Sequence, residues 1–128
     1  MMMENLKNKT VLIVDDNDSN NFALGNYLEG RHMEVAVAKN GLEAISFLQN
    51  STKPAIILLD MMMPVMDGYE TLAVLKQDYS LQQIPVIAVT ARAMKGDREK
   101  CIEAGAWDYI SKPIDLDMLM NKIIKWII

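Results

Sequence analysis

Acidic residues, a threonine and a lysine lie within two residues of the ends of four short, mainly apolar runs of the sequence. Asp15 and Asp16 follow the run VLIV, Asp60 follows AIILL, Thr90 follows VIAV, and Lys112 comes two residues after WDYI. Carboxylate oxygens are ligands that Mg²⁺ prefers, and a carboxylate can accept a phosphoryl group as a nucleophile. The phosphoryl oxygens then need a metal ion, an ammonium group and a hydroxyl or N–H donor around them. These residue types predict magnesium-assisted phosphoryl transfer to a carboxylate, if the fold gathers them at one place.

The pattern of the whole chain predicts how these residues are positioned. Short apolar runs alternate with helical patterns five times, which indicates five βα units in series. The predicted strands cover 11–14, 33–38, 55–59, 86–89 and 107–110, the fourth helix covers 94–104, and caps or stops fall at Asp18 or Ser19, Gly30, Asn40 (with Glu43 reaching back), Gly105 and Asp115. Because parallel strands need right-handed crossovers, this order predicts a doubly wound α/β fold with one five-stranded parallel sheet.

The residues alone do not fix the order of the strands, and we take the flavodoxin-like (βα)5 order 2-1-3-4-5. Ligands of such a sheet bind beyond the carboxyl ends of its strands, where the strand order reverses. Asp15, Asp16 and Asp60 would then lie together, and carboxylates this close destabilise one another unless a cation neutralises them. Taken alone, residues 15–18 are better explained as a turn and a helix cap, since Asp and Asn favour both. The strand-end threonine and lysine favour a metal and phosphoryl site over that simpler interpretation.

Composition and charge exclude several classes of protein. The chain has 128 residues, enough for the single domain that we expect over 1–128. Its net charge of −4 argues against a nucleic-acid surface, which needs clustered cations, and its one cysteine, Cys101, excludes an internal disulfide. The start lacks the features of a signal peptide, and the apolar runs are too short to cross a bilayer. We expect a cytoplasmic protein without direct membrane contact.

Four motifs resemble those of response-regulator receiver domains, most of all the receivers of hybrid sensor kinases. They are VDDN at 14–17, DMMMPVMDG at 60–68, VTARAMKGD at 89–97 and AGAWDYISKPI at 104–114. The resemblance runs along the whole chain. It implies a phosphoacceptor of two-component phosphorelays that depends on Mg²⁺ and catalyses only its own phosphorylation and dephosphorylation. The donor would be a histidine kinase or a histidine phosphotransfer domain, since the one histidine, His32, falls in a predicted solvent-facing loop.

The resemblance also implies roles for individual residues. Asp60 corresponds to the phosphorylated aspartate, which also contacts the metal, and Lys112 pairs with the phosphoryl oxygens. Asp16 corresponds to a direct Mg²⁺ ligand, Asp15 to a ligand acting largely through water, and the backbone carbonyl of Met62 to the third protein ligand. The bond between Lys112 and Pro113 is expected to be cis.

Switching is likewise implied by the resemblance. Thr90 corresponds to the hydroxyl that moves toward the phosphoryl group, and Tyr109 to the aromatic ring that then turns inward. The side chains of Met62 and Arg92 tune the phosphoryl lifetime in this family. The surface that responds comprises the fourth helix, the fifth strand and the fifth helix, and it could also form a homodimer.

The apolar ending KWII, which contains Trp126, has three interpretations. Trp126 packs on the core, or it faces a partner, or the ending marks a domain cut from a longer chain.

Three other functions remain open at this stage. A phosphatase of the haloacid-dehalogenase type resembles the pattern, but it needs a second aspartate two positions after the nucleophile, where this chain has Met62. An interaction module that has lost phosphorylation would have no need for Asp60 and its surrounding set of polar residues. A flavin-binding module would need a phosphate loop rich in Ser, Thr and Gly after the first strand, and that segment is acidic instead.

Overall fold

The computed structural model describes residues 6–91 and 94–127, so Arg92 lies outside the described residues. Strands and helices alternate in the described ranges as β1 (Thr10–Val14), α1 (Asp18–Glu29), β2 (Glu34–Ala38), α2 (Gly41–Asn50), β3 (Ile56–Asp60), α3 (Gly68–Gln77), β4 (Val86–Thr90), α4 (Asp97–Ala104), β5 (Asp108–Ser111) and α5 (Leu116–Ile127). The five strands form one parallel sheet in the order β2-β1-β3-β4-β5. The predicted flavodoxin-like α/β fold is confirmed.

Two apolar cores lie on the two faces of the sheet. In β1, Leu12 and Val14 belong to one core while Val11 and Ile13 belong to the other, because successive strand side chains point to opposite faces. Helices α2, α3 and α4 contribute buried residues to the first core, and α1 and α5 contribute to the second. Strands β3 and β4 are buried at every position, as their continuous apolar sequences predict.

The helix starts differ from the sequence prediction where another polar residue takes the cap. Asn17, rather than Asp18 or Ser19, caps α1 by accepting a hydrogen bond from the Asn20 N–H at 2.9 Å. Asn40 caps α2 as predicted, but the Glu43 carboxylate accepts from the Lys39 N–H at 2.9 Å, one residue before the cap residue it was predicted to reach. Other cap and stop predictions hold, since Gly30 and Gly105 end α1 and α4.

Helix α4 begins three residues later than predicted, and β5 is displaced by one residue. Gly96, in the left-handed region with φ of 90°, precedes α4 at Asp97, and the Asp97 carboxylate accepts from the Met94 N–H at 3.1 Å. The chain between 94 and 96 is therefore a turn rather than the first turn of the helix. These shifts leave the carboxyl ends of the strands, where the polar residues lie, in their predicted places.

Two helical glycines predict opposite responses to the same substitution. A Cβ at Gly68 would lie 2.6 Å from the Met61 Cα and 3.0 Å from the Asp60 carbonyl oxygen, whereas a Cβ at Gly25 would meet only Val35 Cγ1 at 3.5 Å. We expect Gly68→Ala to lower the free energy of unfolding by about 1–3 kcal/mol, because backbone cannot move aside cheaply. Gly25→Ala should raise it by about 0.5–1 kcal/mol, because alanine costs less conformational entropy in a helix. Urea denaturation measures both, and equal effects would contradict the packing described.

Candidate functional site

Three carboxylates meet at the carboxyl edge of the sheet. Asp15 and Asp16 follow β1 and Asp60 ends β3, and one oxygen from each lies within 4.8 Å of the others. Asp15 and Asp60 are buried, with 7% and 5% of their surface exposed, while Asp16 is exposed to solvent. The predicted gathering of the three acidic side chains is therefore present. Adjacent pairing of β1 with β3 produces it, since the polar residues lie just past neighbouring strand ends.

Lys112 joins this cluster from the turn after β5. Its Nζ lies 3.2 Å from Asp15 Oδ2 and 3.4 Å from Asp60 Oδ2. The Lys112 N–H donates to the Thr90 carbonyl oxygen at 2.7 Å, and the peptide bond between Lys112 and Pro113 is cis, as expected. The ammonium group thus contacts both buried carboxylates. It can act there as an internal counter-ion and as a partner for a bound phosphoryl oxygen.

Burial and the charges of this cluster together shift the pKa of both Asp60 and Lys112. Burial, with a smaller contribution from the Asp15 carboxylate, raises the pKa of Asp60 above its ordinary value, although the Met62 N–H and Lys112 oppose this. Burial by itself lowers the pKa of Lys112, but Asp60 and Asp15 outweigh it and the pKa ends above its ordinary value. Lys112 therefore stays charged, and three carboxylates face one ammonium group. The remaining negative charge attracts a cation.

The donor set fits a magnesium ion. All the converging side-chain atoms are carboxylate oxygens, the ligand type that Mg²⁺ takes in proteins. Asp16 opens to solvent, which leaves room for the water ligands that Mg²⁺ retains. The Met62 N–H donates to Asp60 Oδ1 at 3.0 Å, so the start of the loop after β3 is tied to the site. The Met62 carbonyl stays a predicted ligand.

Thr90 and Tyr109 lie on the neighbouring strands. Thr90 ends β4 with 8% of its surface exposed and pairs in register with Ser111 of β5. Tyr109 pairs with Ala88 and packs against the core that α2, α3 and α4 contribute to. Sheet register thus brings the predicted switch hydroxyl to the edge that carries Asp60, and places the aromatic ring on the adjacent strand.

Sequence reasoning missed Asn21, which contacts the acidic segment from inside α1. Its Nδ2 donates to the Asp15 carbonyl oxygen at 2.8 Å, and only 7% of the residue is exposed. The sequence carries one signal that could have indicated it. An asparagine in the first turn of a helix that directly follows the acidic residues is a candidate for a hydrogen bond back to the preceding loop.

Comparison with known proteins identifies the family. Residues 11–124 match the response regulator receiver domain family. The chain belongs to this family. As a receiver domain it is a module of two-component signalling, which confirms the prediction from its motifs. Receivers of this family bind Mg²⁺ at an acidic pocket, and no helix among the residues described here is long and apolar enough to cross a membrane.

Relatives of this receiver include free regulators and parts of kinases. It is 42% identical over 115 residues to the polar-differentiation response regulator DivK of Brucella anthropi, covering 90% of this chain and 93% of DivK. It is 37% identical over 119 residues to hybrid signal transduction histidine kinase I of Dictyostelium discoideum, covering 88% of this chain and 7% of the kinase.

Solved structures of similar receivers include one with metal and one with a partner. The receiver of the sensor histidine kinase PA1611 of Pseudomonas aeruginosa PAO1, with magnesium coordinated in its active-site cleft, superposes with a TM-score of 0.85 at 31% identity, covering 94% of this chain and 98% of that one. The receiver of Saccharomyces cerevisiae Ssk1, in complex with the histidine phosphotransfer protein Ypd1, gives 0.86 at 28% identity, covering 95% and 90%.

Proposed function

We propose that this receiver accepts a phosphoryl group on Asp60 in a reaction that requires Mg²⁺. One observation carries the proposal: the buried Asp60 carboxylate lies 3.4 Å from the Lys112 ammonium and within the cluster of Asp15 and Asp16. A carboxylate placed between a cation site and an ammonium group has the surroundings that a phosphoryl group needs.

The proposed chemistry assigns one task to each group. An Asp60 carboxylate oxygen attacks phosphorus while the bond from phosphorus to the donor nitrogen breaks and its electron pair returns to the donor. Asp16 and Asp60 would hold Mg²⁺ directly, with Asp15 acting largely through water and Met62 giving its backbone carbonyl. When bound, the ion neutralises charge on the phosphoryl oxygens. Lys112 would pair with a second oxygen, and the Thr90 hydroxyl with a third.

Phosphorylation would then act as a population shift between two arrangements of the loops and helices. The phosphoryl group favours the arrangement in which Thr90 and Lys112 both bond to it, because only differential contacts can shift such an equilibrium. Thr90 ends β4, and Tyr109 lies on the adjacent strand β5, where it pairs with Ala88. We propose that movement of Thr90 and Tyr109 changes the surface of α4, β5 and α5, which would bind a downstream protein or a second receiver.

A separate protein or domain would supply the phosphoryl group. His32, the single histidine of the sequence, is exposed in the turn after α1 with φ of 73°. A phosphoryl-donor histidine lies on a helix of a bundle, so His32 is not in the setting of a donor. The complex of the similar Ssk1 receiver with Ypd1 supports a histidine phosphotransfer protein or a histidine kinase as the donor class. The net charge of −4 supports a protein partner over nucleic acid.

Phosphorylation by a small-molecule donor tests the proposal without the unknown partner. Acetyl phosphate with millimolar Mg²⁺ should add one phosphoryl group per chain, measured by intact mass, and EDTA should prevent the addition. The haloacid-dehalogenase alternative predicts a different result, namely sustained hydrolysis of a phosphate monoester such as p-nitrophenyl phosphate over many turnovers. Such turnover, or the lack of any mass increase with acetyl phosphate, would overturn the proposed function.

A further inference from the structure

We infer that Asn21 is a positioning residue that holds the metal-binding segment Asp15–Asp16 in place from inside α1. The inference rests on the proposed magnesium site and extends it to a residue outside the ligand set. Its basis is the contact between a buried side-chain amide and the backbone of the acidic segment.

The hydrogen bonds of Asp15 leave the role of Asn21 distinct from the others. The Asp15 N–H donates to the Ala38 carbonyl oxygen at 3.0 Å, and Asp15 Oδ1 accepts from the Asn17 N–H at 2.9 Å. The Asp15 carbonyl oxygen accepts from Asn21 Nδ2 at 2.8 Å. That oxygen belongs to the planar peptide unit that joins Asp15 to Asp16. Asn21 therefore restrains the plane of this unit, and with it the direction in which the Asp16 side chain projects.

Asp16 depends on this backbone contact because it is exposed. Asp15 and Asp60 are buried and both contact Lys112, which restrains their carboxylates. Asp16 lies in solvent just beyond the end of β1, where an exposed side chain samples many rotamers. Mg²⁺ demands near-ideal octahedral geometry, so an unrestrained ligand must be ordered when the ion binds. Asn21 lowers the free-energy cost of ordering Asp16 because it restrains the backbone before the ion binds, as groups behind metal ligands commonly do.

A purely structural role for Asn21 makes a different prediction. If the amide only satisfied a buried carbonyl group, its loss would lower stability equally with and without metal, and magnesium affinity would not change. If Asn21 positions the ligands, the dissociation constant for Mg²⁺ rises. Loss of one hydrogen bond corresponds to a factor of about five in an equilibrium constant.

Two substitutions at Asn21 and one at its neighbour separate these roles. Asn21→Leu keeps the branched shape of the side chain without its amide and excludes water. Asn21→Ala opens toward a cavity of about 280 Å³ between α1 and the segment Lys112–Leu116, from which water can reach the Asp15 carbonyl oxygen. Asn20→Ala is the matched control, because Asn20 is exposed and contributes its backbone N–H to the cap at Asn17. Calorimetric titration with Mg²⁺ gives the dissociation constants, and circular dichroism confirms folding.

We expect Asn21→Leu to raise the dissociation constant for Mg²⁺ about fivefold, Asn21→Ala to raise it less, and Asn20→Ala to leave it within about twofold. Phosphorylation at saturating Mg²⁺ should recover toward that of the unaltered protein. Unchanged magnesium affinity in either folded Asn21 variant would overturn the inference while leaving the proposed function intact. An unaltered protein that binds no Mg²⁺ would overturn both.

One measurement on the unaltered protein keeps the test independent of variant folding. The side-chain amide of Asn21 should give a nuclear magnetic resonance signal that exchanges slowly with water and shifts with the Asp16 backbone amide during magnesium titration. A signal that exchanges as fast as that of the exposed Asn20 side chain would show that the contact to Asp15 does not persist, and would overturn the inference.

Discussion

Asp60→Asn should abolish phosphorylation by acetyl phosphate. Asparagine has nearly the same shape as aspartate, but its neutral amide is not a nucleophile toward phosphorus. The Met62 N–H now donates to Asp60 Oδ1 and Lys112 Nζ to Oδ2. The single oxygen of asparagine can keep only one of these contacts, and facing the Met62 N–H it would hold the loop after β3 in place while Lys112 keeps Asp15. Intact mass should show no added phosphoryl group in the variant under conditions that label the unaltered protein fully.

The same variant should not lose stability in the absence of metal. Burial and the neighbouring Asp15 make the charged form of Asp60 costly in the folded protein, which is why its pKa is raised. A neutral side chain removes that cost, so the melting temperature without metal should stay equal or rise, while stabilisation by Mg²⁺ should shrink. Labelling of Asp60→Asn equal to that of the unaltered protein would disprove the assignment of the acceptor, and Asp67→Asn at the half-buried N-cap of α3 controls for nonspecific labelling.

Asp108→Ala should destabilise the protein by about 2–4 kcal/mol, because one buried carboxylate holds several groups together. Asp108 Oδ1 accepts from Lys122 Nζ at 3.0 Å and from the Tyr109 N–H at 2.8 Å, and Oδ2 accepts from Trp126 Nε1 at 2.8 Å. The Asp108 side chain is 8% exposed, so alanine leaves these donors without their acceptor. Urea denaturation at neutral pH measures the loss, and Glu29→Ala at an exposed position of α1 is the control.

The loss at Asp108 should depend on pH in one direction. Burial alone would raise the pKa of Asp108, but the hydrogen bonds from Trp126, Tyr109 and Lys122 outweigh burial and hold the pKa below its ordinary value. A lowered pKa in the folded protein contributes stability that is complete above the unfolded value of about 3.9 and disappears as pH falls through the folded value. The difference between the unaltered protein and Asp108→Ala should therefore narrow below about pH 4. A difference that widened in acid would contradict this contact.

The sequence predicted what depends on order along the chain and failed where residue type leaves several caps or hydrogen-bonding partners open. Asp15, Asp60 and Thr90 were found because each stands at a strand end, and parallel strands bring their carboxyl ends to one edge. The start of α1 was displaced because Asn17, Asp18 and Ser19 are all good caps by residue type. Only the backbone geometry decides among them.

Asn21 and Asp108 were not found for a different reason. Each acts through hydrogen bonds that join separate segments, Asn21 to the Asp15 carbonyl oxygen and Asp108 to Lys122 and Trp126 of α5. Residue type alone does not name the partner in such a pair, since an aspartate at a strand start and a tryptophan near a helix end could each pair with many residues. The Trp126 hydrogen bond shows that the last turn of α5 packs on its own domain, the first of the interpretations that the sequence left open.

The two tryptophans of the chain make its optical behaviour selective. Trp107 and Trp126 meet edge to face, with ring centroids 5.5 Å apart, where β5 begins and α5 ends, at the opposite end of the sheet from the acidic residues. Tryptophan fluorescence of this domain therefore reports whether α5 stays packed against the start of β5. A displacement of β5 or α5 during metal loading should therefore change the emission maximum of these two rings.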